Sequence, residues 1–290
     1  MGKKGKKGQA GKPKNLTPKD TSKRLNALVK NLEEELKGAD LFAPLPSTED
    51  CPICLVPLSR LPENSGYRGC CGKWICTACD AENKALIKKQ NEENAAKSKP
   101  GTCPFCRTHT HSSDLGSQLE ARALKNDHVA FYNLGICFTK GICGLPKDDL
   151  KALDCWIKAV ELGSSNACVS IAGFYSSGRG VSKDLEREHT FNTIGALRGS
   201  IIARHGVAFG EYKSGNHEIG IRHWKIAAEA GSQLALDLLK KIYNADGKLP
   251  GKEFISKECM DSIYRVCHDA QKEVKSEARE KHFTNVDMKC

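Results

Sequence analysis

One pattern occurs twice in this chain, as Trp156-Ile-Lys-Ala-Val-Glu-Leu-Gly163-Ser-Ser-Asn-Ala167 and as Trp224-Lys-Ile-Ala-Ala-Glu-Ala-Gly231-Ser-Gln-Leu-Ala235. In each stretch a helical segment ends at a glycine, which favours the left-handed conformation of a helix C-cap. The serine that follows is a preferred N-cap for the next helix, and the small alanine lets two helices approach closely. The pattern therefore predicts pairs of helices joined by short turns.

The same pattern recurs at two further places. Gly199-Ser-Ile-Ile-Ala203 lies between the two stretches, and Asn126-Asp-His-Val-Ala130 precedes them with Asn126 at the glycine position. Asparagine is among the few residues that adopt the left-handed conformation. The four copies lie 37, 36 and 32 residues apart, a period typical of helical-hairpin arrays. We therefore predict a solenoid over residues 126–245 and capping helices with a tail over residues 246–290.

The copies share further residues that point to a known family. Trp156 and Trp224 each stand seven residues before a terminal glycine, and glycine-rich loops begin at Gly144-Leu-Pro and Gly180-Val-Ser. Together these features resemble Sel-1-like repeats, which are relatives of the tetratricopeptide class. The second copy departs from the family at Asn192, where tryptophan is expected, and the third lacks the glycine-rich loop. The resemblance implies a helical solenoid whose groove binds protein.

Eight of the 15 cysteines fall within 56 residues. They form the motifs Cys51-Pro-Ile-Cys54, Cys70-Cys71-Gly-Lys-Trp-Ile-Cys76-Thr-Ala-Cys79 and Cys103-Pro-Phe-Cys106. A two-residue spacer lets both thiolates of one turn reach the same zinc ion. Because the chain shows no secretory signal, we expect a cytoplasmic or nuclear protein, in which paired cysteines favour metal over disulfides. Eight ligands predict two zinc ions, which would supply most of the folding energy of this segment.

The cysteine motifs resemble those of the RING finger family. The resemblance assigns Cys51, Cys54, Cys76 and Cys79 to one ion, and Cys70, Cys71, Cys103 and Cys106 to the other. The spacings alone would also permit sequential sites. RING fingers usually place a histidine where this chain has Lys73, so an all-cysteine version requires both Cys70 and Cys71 as ligands, with Gly72 supplying the turn. His109 and His111 are alternative ligands, although surface positions are more typical of such residues.

The resemblance also implies an activity, that of a RING-type ubiquitin ligase. Such a module docks a ubiquitin-conjugating enzyme charged with ubiquitin and uses no covalent catalytic residue. Ile53 and Pro104 match the family's apolar contact positions, and Arg107 matches an arginine that bridges ubiquitin and the conjugating enzyme. Trp74 either extends this contact surface or covers a zinc site. The helical repeats would then recruit a protein substrate.

A second hypothesis is a non-catalytic adaptor in which the zinc module is structural and the repeats assemble a protein complex. The missing histidine and the polar helix after Cys79 favour it. A RING finger followed by this repeat class is most similar to a family of RING proteins abundant in diatoms and related algae. The predicted fold is mainly α, with a small zinc-bound RING finger (α+β) followed by an α-helical hairpin solenoid.

The remaining segments complete the predicted domains. Residues 1–16 form a basic tail, residues 17–50 an amphipathic helix and linker, residues 51–107 the RING-type zinc finger, and residues 108–125 a connector. The helix has Thr17 as its N-cap and one apolar stripe that packs within the chain or on a partner. The tail holds most of the positive surplus but no stacking aromatics, so nucleic-acid binding is disfavoured. No membrane span and no small-molecule substrate are expected.

Overall fold

The computed structural model describes residues 17–60, 65–93, 101–108, 114–245 and 248–273, and this part of the chain is mainly helical. Its α-helices are α1 (Pro18–Leu36), α2 (Thr77–Glu93), α3 (Leu115–Ala123), α4 (His128–Lys140), α5 (Asp149–Glu161), α6 (Ser165–Ser177), α7 (Leu185–Leu197), α8 (Ile201–Lys213), α9 (His217–Glu229), α10 (Gln233–Tyr243) and α11 (Lys257–Glu273). Two strands, β1 (Ser65–Arg68) and β2 (Lys73–Cys76), form one antiparallel hairpin. The predicted basic tail, His109 and His111 lie outside the described residues. None of the described helices is long and apolar enough to cross a membrane.

The repeats form stacked helical hairpins, as the sequence predicts. Helix α4 packs on α5, α6 on α7 and α8 on α9, and successive hairpins stack through α5 and α6 and through α7 and α8. Asn126, Gly163, Gly199 and Gly231 precede the first helices with φ of 57°, 94°, 91° and 90°. The predicted left-handed turns are therefore confirmed, including the turn at the asparagine. The third hairpin, which lacks the glycine-rich loop, closes through a short turn at Gly215.

Trp156 shows why the first hairpin needs a glycine. The indole Nε1 of Trp156 donates a hydrogen bond to the Tyr132 carbonyl at 3.1 Å, and its ring meets Phe174 edge to face at 5.0 Å between centroids. A Cβ atom added at Gly135 would lie 2.2 Å from Nε1. The close approach of α4 to α5 therefore excludes any side chain at position 135.

We expect Gly135→Ala to lower the free energy of unfolding by about 1–3 kcal/mol, because the methyl group displaces the Trp156 indole from a packed site. The matched control is Gly173→Ala in α6, where an added Cβ would meet no atom within 4 Å. That change should raise the free energy of unfolding by about 0.5–1 kcal/mol through helix propensity. Urea denaturation measures both, and a shift of the same sign in the two variants would contradict this account.

Helix α1 packs on the solenoid. Thr17 and Asp20 form the predicted capping box, and Pro18 occupies the first turn. The apolar stripe of α1 is buried against α5 and α7. Arg24 pairs with Asp154 of α5, and Glu35 accepts a hydrogen bond from Arg198 at 2.8 Å. The predicted stripe is thus covered within the chain and is not an open partner surface.

The linker after α1 is fixed by a buried arginine. Arg204 of α8 is 1% exposed and donates from Nη1 to the Leu41 carbonyl at 3.1 Å and from Nη2 to the Ala196 carbonyl at 3.0 Å. Phe42 lies beside the His223 ring at 4.9 Å between centroids. Burial, followed by the charge of Arg60, lowers the pKa of Arg204. The linker therefore lies against α8 and α9.

His223 should make the protein sensitive to acid. Burial, reinforced by the charges of Arg204, His189 and Arg222, lowers the pKa of His223 from 6.5 to about 4. The unfolded chain therefore binds this proton at higher pH than the native state does, so stability falls as pH drops from 6.5 to 4. At about 1.36 kcal/mol per pKa unit, the loss is roughly 3 kcal/mol.

Urea denaturation at a series of pH values should show this loss in the wild type. Arg204 Nη1 lies 3.4 Å from His223 Nδ1. The variant His223→Gln keeps an acceptor for Arg204 but cannot titrate, so its stability should change less across the same interval. An equal loss of stability in the variant would contradict the assignment to His223.

Candidate metal centre

Residues 51–107 are here called the cysteine module. The hairpin of β1 and β2 separates two pairs of its cysteines. Tyr67 pairs with Trp74 and Ser65 with Cys76 along the two strands. Cys70 and Cys71 lie in the turn between the strands, Cys76 ends β2, and Cys79 lies in the first turn of α2, which follows directly. The hairpin thus places its two cysteine pairs at opposite ends.

The structure brings the eight cysteines together in two groups. They are Cys51, Cys54, Cys76 and Cys79 in the first group, and Cys70, Cys71, Cys103 and Cys106 in the second. In each group the four Sγ atoms all lie within 4.8 Å of one another. This is the interleaved arrangement that the family resemblance implies, and the sequential one is absent from the described residues.

The sulfur spacing fits zinc. Sγ of Cys54 lies 3.9 Å from Sγ of Cys76, and Sγ of Cys71 lies 3.8 Å from Sγ of Cys103. A tetrahedral zinc ion with bonds of about 2.3 Å holds its sulfur ligands about 3.8 Å apart. In the second group Sγ of Cys106 lies closer to Sγ of Cys70, at 3.4 Å. Each group therefore has the ligand type that a structural zinc ion requires, and one pair in each group has the spacing.

Local electrostatics act in opposite directions within the groups. Burial acts to raise the pKa of Cys51, but hydrogen bonds from backbone groups of Cys76, Cys54 and Ile53 outweigh it and lower this pKa to about 7. Burial and the neighbouring thiols raise the pKa of Cys70 and of Cys79. A raised pKa favours the neutral thiol, and a bound metal ion would reverse these shifts because it binds the thiolate form.

The two outer CxxC turns, Cys51–Cys54 and Cys103–Cys106, have the same backbone geometry. The N–H of Cys51 donates to the Val56 carbonyl at 2.9 Å, as the N–H of Cys103 does to the Thr108 carbonyl at 2.9 Å. Leu55 and Arg107, which follow the second cysteine of each turn, have φ of 56° and 59°. Neither residue adopts this left-handed conformation without strain, so the turn geometry determines where the two side chains point.

The residues predicted to contact a conjugating enzyme differ in exposure. Ile53 is 47% exposed, Arg107 is exposed and Pro104 is half-buried. Trp74 is half-buried, lies edge to face with Tyr67 at 5.6 Å and packs on the core of the cysteine module. Sequence analysis missed Leu55, which is 75% exposed. Its position after a CxxC motif, equivalent to that of Arg107, is the signal that could have identified it.

The residues around the turn of the hairpin explain two sequence features. Gly72 has φ of 76°, so the predicted turn after the adjacent cysteines is confirmed. Lys73, at the position where the RING family has histidine, is exposed and places Nζ 5.2 Å from the centre of the Phe105 ring. Lys73 therefore makes a cation–π contact and is not part of either cysteine group.

A carboxylate joins the cysteine module to the first repeat. Tyr67 donates a hydrogen bond from its hydroxyl to Asp127 Oδ2 at 2.6 Å, and Arg122 donates from Nη2 to the same atom at 2.6 Å. Asp127 Oδ1 caps α4 by accepting from the N–H of Val129 at 3.0 Å. Burial acts to raise the pKa of Asp127, but the hydrogen bonds from Tyr67, Arg122 and Ala130 lower it. The module is thus held against α3 and α4.

Comparison with known proteins identifies the repeats. The Sel1 repeat family matches residues 129–164, 165–187 and 203–232, so the chain contains Sel1 repeats. None of the curated proteins matches the chain significantly.

Similar solved structures include repeat proteins and immunity proteins. A Sel1 repeat protein from Oxalobacter formigenes is 19% identical over 72% of this chain and 87% of its own, with a TM-score of 0.46. A protective antigen of uropathogenic Escherichia coli with an SLR fold is 14% identical over 88% of this chain and 49% of its own, with a TM-score of 0.45. An immunity protein from Pseudomonas aeruginosa is 15% identical over 64% of this chain and 82% of its own, with a TM-score of 0.32.

Proposed function

We propose that this protein is a zinc-dependent RING-type ubiquitin ligase whose cysteine module docks a ubiquitin-conjugating enzyme and whose Sel1 repeats recruit a protein substrate. The observation that carries the proposal is the interleaved grouping of the eight cysteines. Zinc bound by the two groups would hold the CxxC turns in fixed positions. Sel1 repeats are consistent with a protein-binding role for the rest of the chain.

In this proposal the chain acts by positioning. The exposed side chain of Ile53 would provide an apolar contact for the conjugating enzyme. The half-buried Pro104, in Cys103-Pro-Phe-Cys106, would provide a second apolar contact. Arg107 is exposed and has a left-handed backbone conformation, and its guanidinium could donate hydrogen bonds to ubiquitin. Holding a reactive thioester in one orientation accelerates its transfer without a covalent intermediate on the ligase.

The test is autoubiquitination by the purified full chain with a panel of conjugating enzymes. We expect product with the wild type and a fall of about tenfold or more in Ile53→Ala and Arg107→Ala, as for other central contact residues. Matched controls are Leu185→Ala, a 60% exposed leucine on α7, and Arg265→Ala, an exposed arginine on α11. Both should leave the rate unchanged, and all variants should retain two zinc ions per chain.

A non-catalytic adaptor is the second candidate, and one observation favours it. In the first turns of α2, Asp80 pairs with Arg68 and with Lys84, the latter at 3.0 Å. Leu86, the large apolar side chain that is exposed on α2, lies further along the helix. Paired charges, and not an apolar contact, therefore occupy the turns next to Cys79. A protein that holds two zinc ions but forms no product with any conjugating enzyme would establish the adaptor and exclude the ligase.

A further inference from the structure

The row of second helices is covered by the chain itself. Helix α1 packs across α5 and α7. The centre of the Phe42 ring, in the linker, lies 3.6 Å from the guanidinium carbon of Arg222 on α9. The other row consists of α4, α6, α8 and α10, and α6 packs directly on α8. The outward side of these four helices, here called the first-helix face, is therefore the side of the hairpins to consider for a partner.

Large apolar side chains are exposed on the first-helix face. Ile202 and Phe209 of α8 are 46% and 53% exposed and lie seven residues apart, on the same side of the helix. Leu234 of α10 is 59% exposed and occupies the repeat position of Ile202, three residues after the preceding glycine. These three exposed side chains, on the first helices of successive hairpins, are here called the apolar patch, and exposed apolar surface of this kind favours protein binding.

A glycine leaves open space, here called the notch, on α6, the first helix of the preceding hairpin. Gly173 of α6 occupies the repeat position of Phe209, and a Cβ atom added there would meet no atom of the described residues within 4 Å. Within the same hairpins, Gly135 and Gly195 each have a neighbour within 3 Å that explains the missing side chain. A glycine inside a helix lowers stability by about 1 kcal/mol relative to alanine. No contact within the described fold explains why position 173 is a glycine. Close approach of another chain supplies a reason.

The charges around the face are mainly positive. Lys140, Lys213 and Lys241 are exposed at the ends of α4, α8 and α10. Lys213 Nζ lies 4.5 Å from the centre of the Phe209 ring, so it is held next to the patch. The acidic residues of the four first helices are Glu211 of α8, whose carboxylate contacts His189 and Asn216, and Asp237 of α10, which accepts a hydrogen bond from Gln233. A partner that fits these charges carries carboxylates.

We infer that the first-helix face binds an acidic segment of a partner protein that carries large apolar side chains, one of which enters the notch at Gly173. This inference deepens the substrate-recruiting role proposed above and rests on it. It names the face, the chemistry of the partner and the residues that select it.

The test uses the full-length protein and an array of 12-residue peptides. Each peptide combines two leucine or phenylalanine residues with a background of Asp and Glu, of Lys and Arg, or of Ser and Gln. We expect the acidic apolar peptides to bind about tenfold or more tightly than the basic ones. Fluorescence anisotropy of the best acidic peptide then measures the variants.

Two variants separate the notch from the patch. Gly173→Gln fills open space and should keep the fold, but it should lower the affinity for the peptide by about tenfold or more. Phe209→Ser should lower the affinity by a similar factor. Leu185→Ser removes an equally exposed leucine from α7, outside this face, and should change the affinity less than twofold. The double variant Lys213→Glu with Lys241→Glu should reverse the charge preference.

Three outcomes would overturn the inference: no binding by any peptide, equal binding of acidic and basic peptides, or unchanged affinity in Gly173→Gln. The assay contains no ubiquitin, so its result is independent of the ligase test. Peptide binding without autoubiquitination would remove only the proposed activity. Autoubiquitination without selective peptide binding would remove only this face.

Discussion

Chelation of zinc is expected to unfold the cysteine module and to leave the stack from α5 to α11 folded. The buried core of the module consists of three cysteines with Leu58, Ile75 and Ala78. So small an apolar core cannot offset the conformational entropy of ordering the segment. Binding of structural zinc contributes about 10–16 kcal/mol in small domains, which is the largest energy that any change considered for this chain would remove. The repeats have separate cores around Trp156 and Trp224.

Hydrogen exchange with and without chelator measures this result. The amides of β2 and of the first turn of α2 should lose protection, whereas those of α6 to α9 should keep it. Metal analysis should find two zinc ions per chain, and fewer in Cys71→Ser. The control Cys259→Ser changes a half-buried thiol outside both groups and should retain two. One ion per wild-type chain, or a module that stays protected in chelator, would contradict the assignment.

Local signals explain why much of the repeat fold can be predicted. The conformation of a helix cap depends on residues only a few positions away in sequence. The repeat position of Asn126 is therefore enough to predict its left-handed turn. Helix α3 was not predicted, and the segment 108–125 was treated as a connector. Its Leu119 is buried through contacts with residues distant in sequence, among them Gly69 of the hairpin turn. The buried residues Gly116, Leu119 and Ala123 do have helical spacing, but two of the three are small, so a helix of nine residues shows only a weak apolar stripe.

The cysteine groups show the same limit. The hairpin places Cys71 at its turn and Cys76 at its end, and strands rise about 3.3 Å per residue, so these two cysteines belong to different groups. Spacing does not determine which outer CxxC motif joins which pair. That depends on how the chain between Cys79 and Cys103 returns, and only the family resemblance supplied an answer. Ligation of zinc by these residues stays a prediction.

The second large effect is expected at the junction between the cysteine module and the repeats. Asp127→Ala should lower the free energy of unfolding by about 3–5 kcal/mol. The substitution removes the N-cap of α4, which is worth about 1 kcal/mol. It also leaves the Tyr67 hydroxyl without its acceptor and the Arg122 guanidinium without its carboxylate. Arg122 is only one-quarter exposed, so solvent replaces its lost partner incompletely.

Asp148→Ala is the matched control, because Asp148 caps α5 by accepting from the N–H of Lys151 at 2.9 Å and pairs with Lys151 Nζ at 3.6 Å, both within the first turn of α5. It should cost only about 1 kcal/mol. Asp127→Asn keeps a good cap but loses the charge, and should fall between the two. Urea denaturation gives the energies, and hydrogen exchange of β1 shows whether the module loosens. Equal losses in Asp127→Ala and Asp148→Ala would mean that Asp127 acts only as a cap. A larger loss with faster exchange in β1 would mean that one carboxylate holds the module in a fixed orientation to the repeats, as the proposed delivery of ubiquitin to a bound substrate would require.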